Sequence, residues 1–358
     1  MRRLGLFVIV LVMIATLLAT ACTPTPTPTP SPSPSPSPSP TVAPHPMVTV
    51  NEWASPFASS TYTVAFGIED LAKKYHPWLR LPAAETPGFA YNIKSHANQP
   101  TLWEDTDIAA AALDIYVASK KLAPYDDQAN PIVGYRRLVS HSTQLNWLVT
   151  LDPNIKTAAD LAGKKIAIGT KSQTNVGVGP SYLLVEGMGL DPANIQYIGH
   201  VAAMTALLDG LVDVSIDFAY SSPVDKIYIS GPTHLTLESS GKKFYYINFP
   251  EEAFTNATAK GLPTPSAVIP AGTFKDQAGD VTVYAASNGF YVKDVFPEDL
   301  AYELTKFWLE VGTQHLTEYS DYGKLVTPQG MIFGAVKAGL HPGALKAYEE
   351  AGLTIPEK

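Results

Sequence analysis

Proline stands at every even position from Pro24 to Pro40. Each proline fixes φ and removes a backbone donor, so residues 23–46, a Thr-Pro and Ser-Pro repeat, read as an extended polyproline-like tether that joins no helix or sheet. At about 3.1 Å per residue such a tether reaches roughly 70 Å. Every packed element must therefore come from residues 47–358.

The segment ahead of the tether, residues 1–22, opens with Arg2 and Arg3, continues as the apolar run Leu4–Leu18 and ends in Ala19-Thr-Ala-Cys22. A basic end, an apolar core and small residues before a cut make a secretory signal. It resembles a bacterial lipoprotein signal peptide, which implies an acylated Cys22, although the family more often carries Leu where Ala19 stands. A plain spanning anchor is the alternative, since about 18 apolar residues can just cross a bilayer. The expectation is an extracytoplasmic protein, lipid-anchored to the cell membrane on its periplasmic side or outer surface, with the tether as spacer.

With 46% hydrophobic and 16% charged residues, the remainder can bury sizeable cores, and its length suits two lobes of roughly 150 residues each. The formal net charge of −8, without Lys/Arg clusters, makes nucleic acid a poor partner. Cys22 is the only cysteine, which leaves the folded part without a disulfide, a thiolate metal site or a catalytic thiol. The eight histidines are scattered, with no His-x-His or His-Glu-x-x-His spacing, so no metal is expected. There is no Gly-x-Ser-x-Gly elbow and no Walker-type loop, and Gly177-Val-Gly179 lacks the third glycine of a dinucleotide fingerprint. The reading is of no enzyme and no cofactor.

Periodicity from Met47 onward gives strand Met47–Val50, a helix near Tyr62 with Ala65, Phe66, Ile68, Leu71, Ala72 and Tyr75 on one face, and strand Leu79–Leu81. A turn at 85–88, a short helix through Ile93, strand Asp107–Leu113 and a helix around Ile115–Lys121 follow. Leu138–Leu151 is a long β-rich run suited to a strand that leaves one lobe for another. Strands Lys165–Gly169, Ile195–Ile198 and Val212–Phe218 then alternate with helices Ser181–Met188 and Ala202–Leu208, and Lys243–Phe249 adds a strand. Val281–Ala285 with Gly289–Val292 reads as the return crossing, and a helix opens at Pro297 with the stripe Leu300, Leu304, Phe307, Trp308 and Val311. The predicted fold is α/β, two-lobed and of the type II periplasmic-binding-protein kind. Lobe 1 is 47–145 with 287–358, lobe 2 is 146–286, and the crossing strands hinge near Asn146 and Asn288.

The strand–loop–helix from Ala158 to Glu186 carries the chemistry. A Gly/Ser/Thr/Asn loop between Ile166–Ile168 and Ser181–Glu186 presents Ser172, Gln173 and Thr174 at the positive end of a helix, where they either receive an anionic group or only cap the helix. The polar stretch Ala219-Tyr-Ser-Ser-Pro223, read as a loop at the carboxyl end of a strand, adds Tyr220, Ser221 and Ser222.

Asp160-Leu-Ala-Gly-Lys-Lys165, Gly169-Thr-Lys-Ser-Gln-Thr174, Leu208-Asp-Gly-Leu-Val-Asp213, Pro270-Ala-Gly-Thr-Phe274, Pro297-Glu-Asp-Leu-Ala-Tyr-Glu-Leu304 and Leu340-His-Pro-Gly-Ala344 stand in order. Together they resemble the TAXI family, the solute-binding receptors of TRAP transporters. The resemblance implies a small carboxylate such as glutamate or 2-oxoglutarate in an inter-lobe cleft, a monomeric receptor, and delivery to TRAP membrane subunits. Carried over by position, it implies ligand contacts at Ser172, Gln173 and Thr174, with Gln173 replacing the usual glycine, and at Thr86 and Asn92. The first loop departs from the family's glycine-rich turn: Trp53-Ala-Ser-Pro-Phe-Ala-Ser-Ser-Thr-Tyr62 keeps Tyr62 and the hydroxyls of Ser59, Ser60 and Thr61. The apolar bulk of Trp53, Pro56 and Phe57 suggests a carboxylate with an apolar or aromatic body, unless Trp53 and Phe57 point into their own lobe. Arg136, Arg137 and Lys171 are counter-charge candidates by position. An ABC-importer receptor and a sensory binding subunit share the same plan.

Overall fold

The computed structural model describes residues 46–358 apart from Ala58 and Pro263. The signal segment, Cys22 and most of the proline tether lie outside the described residues. Among those described, no helix is long and apolar enough to cross a membrane, and no cluster of three or more His, Cys, Asp or Glu could hold a metal ion.

The first lobe alternates short strands β1 (Val48–Thr49), β2 (Glu52–Trp53), β3 (Leu79–Arg80), β4 (Ala83–Ala84) and β5 (Ile108–Ala111) with helices α1 (Ser60–Tyr75), α2 (Phe89–Asn98) and α3 (Asp114–Ser119). Strand β2 pairs in parallel with β4 and β5. Helix α1 begins two residues before the Tyr62 start read from the sequence, because the Ser59 side chain accepts from the Tyr62 N–H at 3.2 Å and fixes the cap. Val64, Ala65, Ile68, Leu71 and Ala72 form its buried face. Phe66 and Tyr75, expected on that face, are exposed: at about 100° per residue Phe66 stands well off the stripe through Ala65 and Ile68.

Strand β6 (Tyr135–Thr150) then runs the length of both lobes. The second lobe adds β7 (Ile166–Ile168), β8 (Ile195–Tyr197), β9 (Val214–Ser222), β10 (Ile227–Ser230), β11 (Tyr245–Ile247) and β12 (Ser266–Ile269). Its helices are α4 (Val178–Tyr182), α5 (His200–Leu208), α6 (Pro232–Ser239) and α7 (Glu251–Ala259). Strand β13 (Val281–Lys293) returns antiparallel to β6, and α8 (Glu298–Phe307) closes back on the first lobe. The main sheet runs β4-β2-β5-β13-β6-β9-β7-β8, with β10 beside β9, β11 beside β6 and β12 beside β13. The fold is thus two-lobed α/β, with one sheet carried across the waist by two long strands.

The stretch Ala219–Ser222, read from the sequence as a loop, is strand. Its backbone pairs with β6 on one side and with β10 on the other, so its polar side chains cost no ladder bonds. At the waist the β6–β13 register slips: Asn288 faces Ser142 while Gly289 faces Ser140, so His141 is an extra, bulged residue. Gly289 has to be glycine there, since a Cβ would lie 2.4 Å from the Val139 carbonyl oxygen.

One core fills the first lobe beneath α1 and α8, around Ile68, Leu71, Phe290, Leu304, Phe307 and Trp308. Two further cores cover opposite faces of the second lobe's sheet, one around Ile168, Ile216 and Phe249, the other around Trp147, Leu237 and Phe244. His341 caps the helix Pro342–Glu350, its Nδ1 accepting from the Gly343 N–H at 3.3 Å.

Candidate functional site

A cleft of about 410 Å³ opens between the lobes where β6 and β13 cross. The first lobe contributes Ser55–Phe57, Ser59–Thr61 and Pro87–Phe89; the crossing strands contribute Gln144 and Asn288 as its floor. The second lobe contributes Ser172–Val176, His200, Phe218, Tyr220 and Pro232. Four of these residues, Ser60, Phe89, His200 and Pro232, are the first residues of α1, α2, α5 and α6. Each helix start carries a partial positive charge, and four of them border the cleft.

Its side chains add no charge. Among the described lining residues none is Lys, Arg, Asp or Glu. The basic candidates are engaged elsewhere: Arg136 Nε lies 3.1 Å from Asp294, Arg137 donates to the Phe333 carbonyl at 3.3 Å, and Lys171 Nζ sits 5.4 Å from the Tyr197 ring centre. The imidazole on the wall, His200, is held below its usual pKa by burial, so it stands neutral.

The loop Gly169–Gly177 is built tightly. The Gly169 N–H donates to the Val176 carbonyl at 2.8 Å, and a Cβ on Gly177 would meet the Thr170 carbonyl oxygen at 2.1 Å. Gln173 Oε1 accepts from the N–H groups of Thr170 (3.1 Å) and His200 (3.3 Å), pinning the loop to the start of α5. Ser172 Oγ pairs with Thr170 Oγ1 at 2.9 Å. Thr174 lines the cleft and donates its hydroxyl across the lobes to Asp114 at 2.8 Å, where Tyr125 also donates at 2.8 Å. Burial raises the Asp114 carboxyl.

In the first lobe, Thr61 Oγ1 lies 3.1 Å from Nε2 of the bulged His141, which burial pushes down to about 3. Ser60 and Tyr220 both line the cleft, and burial pushes the Tyr220 phenol up to about 12. Thr174–Asp114 is one of several contacts between the lobes, beside Tyr116 Oη to the Gly261 carbonyl and Ser222 Oγ to Thr327 Oγ1 at 3.1 Å.

Of the residues read from the sequence, Ser59, Ser60, Thr61, Ser172, Gln173, Thr174 and Tyr220 line the cleft; Tyr62, Thr86, Asn92, Ser221 and Ser222 do not. Tyr62 packs beside Phe57, with ring centres 5.6 Å apart. Thr86 Oγ1 accepts from the Gly88 N–H at 3.2 Å, just ahead of α2. Asn92 is fully buried and donates to the carbonyls of Trp53, Ala54 and Ala110, tying the first loop to the sheet. Ser221 donates to the Thr143 carbonyl and Ser222 to Asp225. Trp53 and Phe57 divide: Trp53 stacks on Trp103 at 4.3 Å inside its own lobe, while Phe57 lies on the cleft wall, 71% exposed.

Gln144, Asn175, His200, Phe89, Phe218 and Asn288 were not singled out by sequence reasoning as cleft residues. The available signal was polarity inside the two β-rich crossing runs, where Gln144 ends the polar run 140–144 and Asn288 follows Ser287. Two buried polar atoms of this wall, Asn175 Oδ1 and His200 Nδ1, have no protein partner.

The sequence matches the NMT1-like family over residues 135–352, more than half of the chain. The chain belongs to the NMT1-like family. The match takes in β6, the second lobe with its cleft loop, and the return crossing. Solved structures similar to this chain include a TctC solute-binding protein from Polaromonas, at 12% identity over 85% of this chain and 98% of that one, with a TM-score of 0.47. MatC of Rhodopseudomonas palustris with bound malate is 13% identical over 86% of this chain and 97% of that one, TM-score 0.45. The aliphatic sulphonate-binding protein SsuA of Escherichia coli is 14% identical over 84% of this chain and 78% of that one, TM-score 0.41.

Proposed function

We propose that this chain is an extracytoplasmic solute receptor of the TAXI kind, tethered through acylated Cys22, which closes its lobes over an organic acid with an apolar body and delivers it to TRAP membrane subunits. The observation that carries the reading is the composition of the cleft. Four helix starts supply positive potential for a carboxylate without a counter-ion, while Phe57, Phe89, Phe218 and Val176 supply an apolar wall for the rest of the molecule. Ser59, Ser60, Thr61, Ser172, Gln173, Thr174 and Tyr220 are the polar groups proposed to frame the acid; Tyr62, Thr86, Asn92, Ser221 and Ser222 act behind them as scaffold.

A receptor only has to bind and release, and a wall of hydroxyls, amides and neutral aromatic groups suits that task. A ligand at a hundred times its dissociation constant stabilises the native state by about 2.7 kcal/mol, a visible melting shift. The screen sets glutamate, glutamine, 2-oxoglutarate and C4-dicarboxylates against aromatic and branched-chain acids. Shifts with the apolar acids are expected. A shift with glutamate or 2-oxoglutarate alone would return the ligand to the small polar acids that the TAXI resemblance implies. For the partner, a TRAP permease encoded beside this chain is expected, and an ATPase there would make it an ABC-importer receptor.

A further inference from the structure

The floor of the cleft is a chain of amides whose orientation is set from the far end. Asn146, fully buried on β6, donates its Nδ2 to two backbone carbonyls, those of Gln144 (3.2 Å) and Tyr284 (3.3 Å). Carbonyls only accept, so the Asn146 amide can face one way only, and its Oδ1 must be an acceptor. Gln144 Nε2 donates to that oxygen at 3.2 Å, which turns Gln144 Oε1 toward Asn175. Asn175 then donates its own Nδ2 to Gln144 Oε1 (3.2 Å) and to Asn288 Oδ1 (2.8 Å). Both amide hydrogens of Asn175 are used. Its Oδ1 is left as a buried acceptor without a protein partner, on a residue that lines the cleft and is 6% exposed.

A buried acceptor without a donor is costly, and here no rotation of the amide cures it, because the relay back to the Asn146 carbonyl contacts would break. From this geometry we infer that the ligand carries a neutral O–H or N–H donor in addition to its acid group, and that Asn175 Oδ1 receives it. The inference rests on the organic-acid reading and narrows it to a subclass, the hydroxy or amido acids. A charged ammonium is disfavoured at the same place. No carboxylate is among the described lining residues, and the Asp114 carboxyl behind Thr174 already accepts two hydroxyls. A keto acid offers the Asn175 oxygen only another acceptor. A plain acid leaves it unpaired.

Calorimetric titration of the folded chain with five acids that share a phenylpropyl body tests this. They are 3-phenylpropionate, phenylpyruvate, phenyllactate, phenylalanine and 3-(4-hydroxyphenyl)propionate, so that a donor is tried at either end. A parallel set is built on the branched 4-methylpentanoate body. One hydroxyl-bearing acid should bind roughly ten- to a hundredfold more tightly than its unsubstituted parent. Asn175→Ala should remove that preference, bringing the hydroxy acid down to the level of the parent. Parent, keto and hydroxy acids binding alike to the wild type, or the amino acid binding most tightly, would overturn the inference while leaving the organic-acid reading in place. No binding by any acid of either set would overturn both. The wild-type series decides these outcomes even where Asn175→Ala does not fold.

Discussion

Phe57 is the residue on which the chemistry of the proposed ligand turns. It lies on the cleft wall largely exposed, so the native fold gains little from it, whereas a bound apolar acid would cover it. Covering a phenylalanine is worth about 1.5–3 kcal/mol, so Phe57→Ala should weaken an aromatic acid roughly ten- to a hundredfold, with the melting temperature unchanged in calorimetry. Its neighbour Trp53 marks what the sequence could not tell. Both were legible as apolar bulk in the first loop, yet β2 turns Trp53 onto Trp103, with its Nε1 donating to Asp107 at 3.0 Å. That choice depends on strand pairing and on partners some fifty residues away. A second residue-scale prediction concerns acid. Burial pushes His96 and His141 each down to about 3, against an ordinary value of 6.5. Below about pH 6.5 the unfolded chain therefore binds protons that the native chain does not. Their contribution is fully present above that pH and is lost as pH falls toward 3, by up to about 1.4 kcal/mol per unit for each histidine. His96→Phe keeps the stack on Trp103 at 4.3 Å and should give a shallower fall of melting temperature with acid. An unchanged slope would remove His96 from the account.

Among the elements, the loop Gly169–Gly177 and the crossing strands are where the proposed opening and closing of the cleft can be tested. Thr174 was legible as a polar residue at a helix start, but its partner Asp114 was not, because the hydroxyl reaches a carboxylate in the other lobe. Thr174→Val keeps the shape and removes that bond, leaving a buried carboxyl short of one donor. It should cost about 1–3 kcal/mol of the closed form and weaken ligand binding. Scattering from the unliganded variant should show a larger radius of gyration than the wild type; equal radii would mean that the bond is not a latch. The crossing strands themselves were legible, since Leu138–Leu151 is too long and too β-rich for a single lobe. The bulge at His141 was not, because it is a matter of register with β13. Gly289→Ala, whose Cβ would strike the Val139 carbonyl at 2.4 Å, should destabilise the waist by roughly 1–3 kcal/mol, read by chemical denaturation.

For the whole molecule, the βα alternation and the two β-rich runs were enough to derive a two-lobed α/β plan, because the periodicities of strands and helices are local. The strand at Ala219–Ser222 escaped that logic: its polar residues are held by ladder bonds from β6 and β10, a tertiary effect. On the proposed function, these lobes hold an organic acid in a cleft bordered by four helix starts and walled by apolar side chains. Calorimetric titration of the tightest acid from the melting screen into the wild type and into Phe57→Ala tests it most directly. One-to-one binding to the wild type, weakened at least about tenfold in the variant at equal melting temperature, is the predicted result. Equal affinity in both proteins would put the ligand elsewhere and contradict the account.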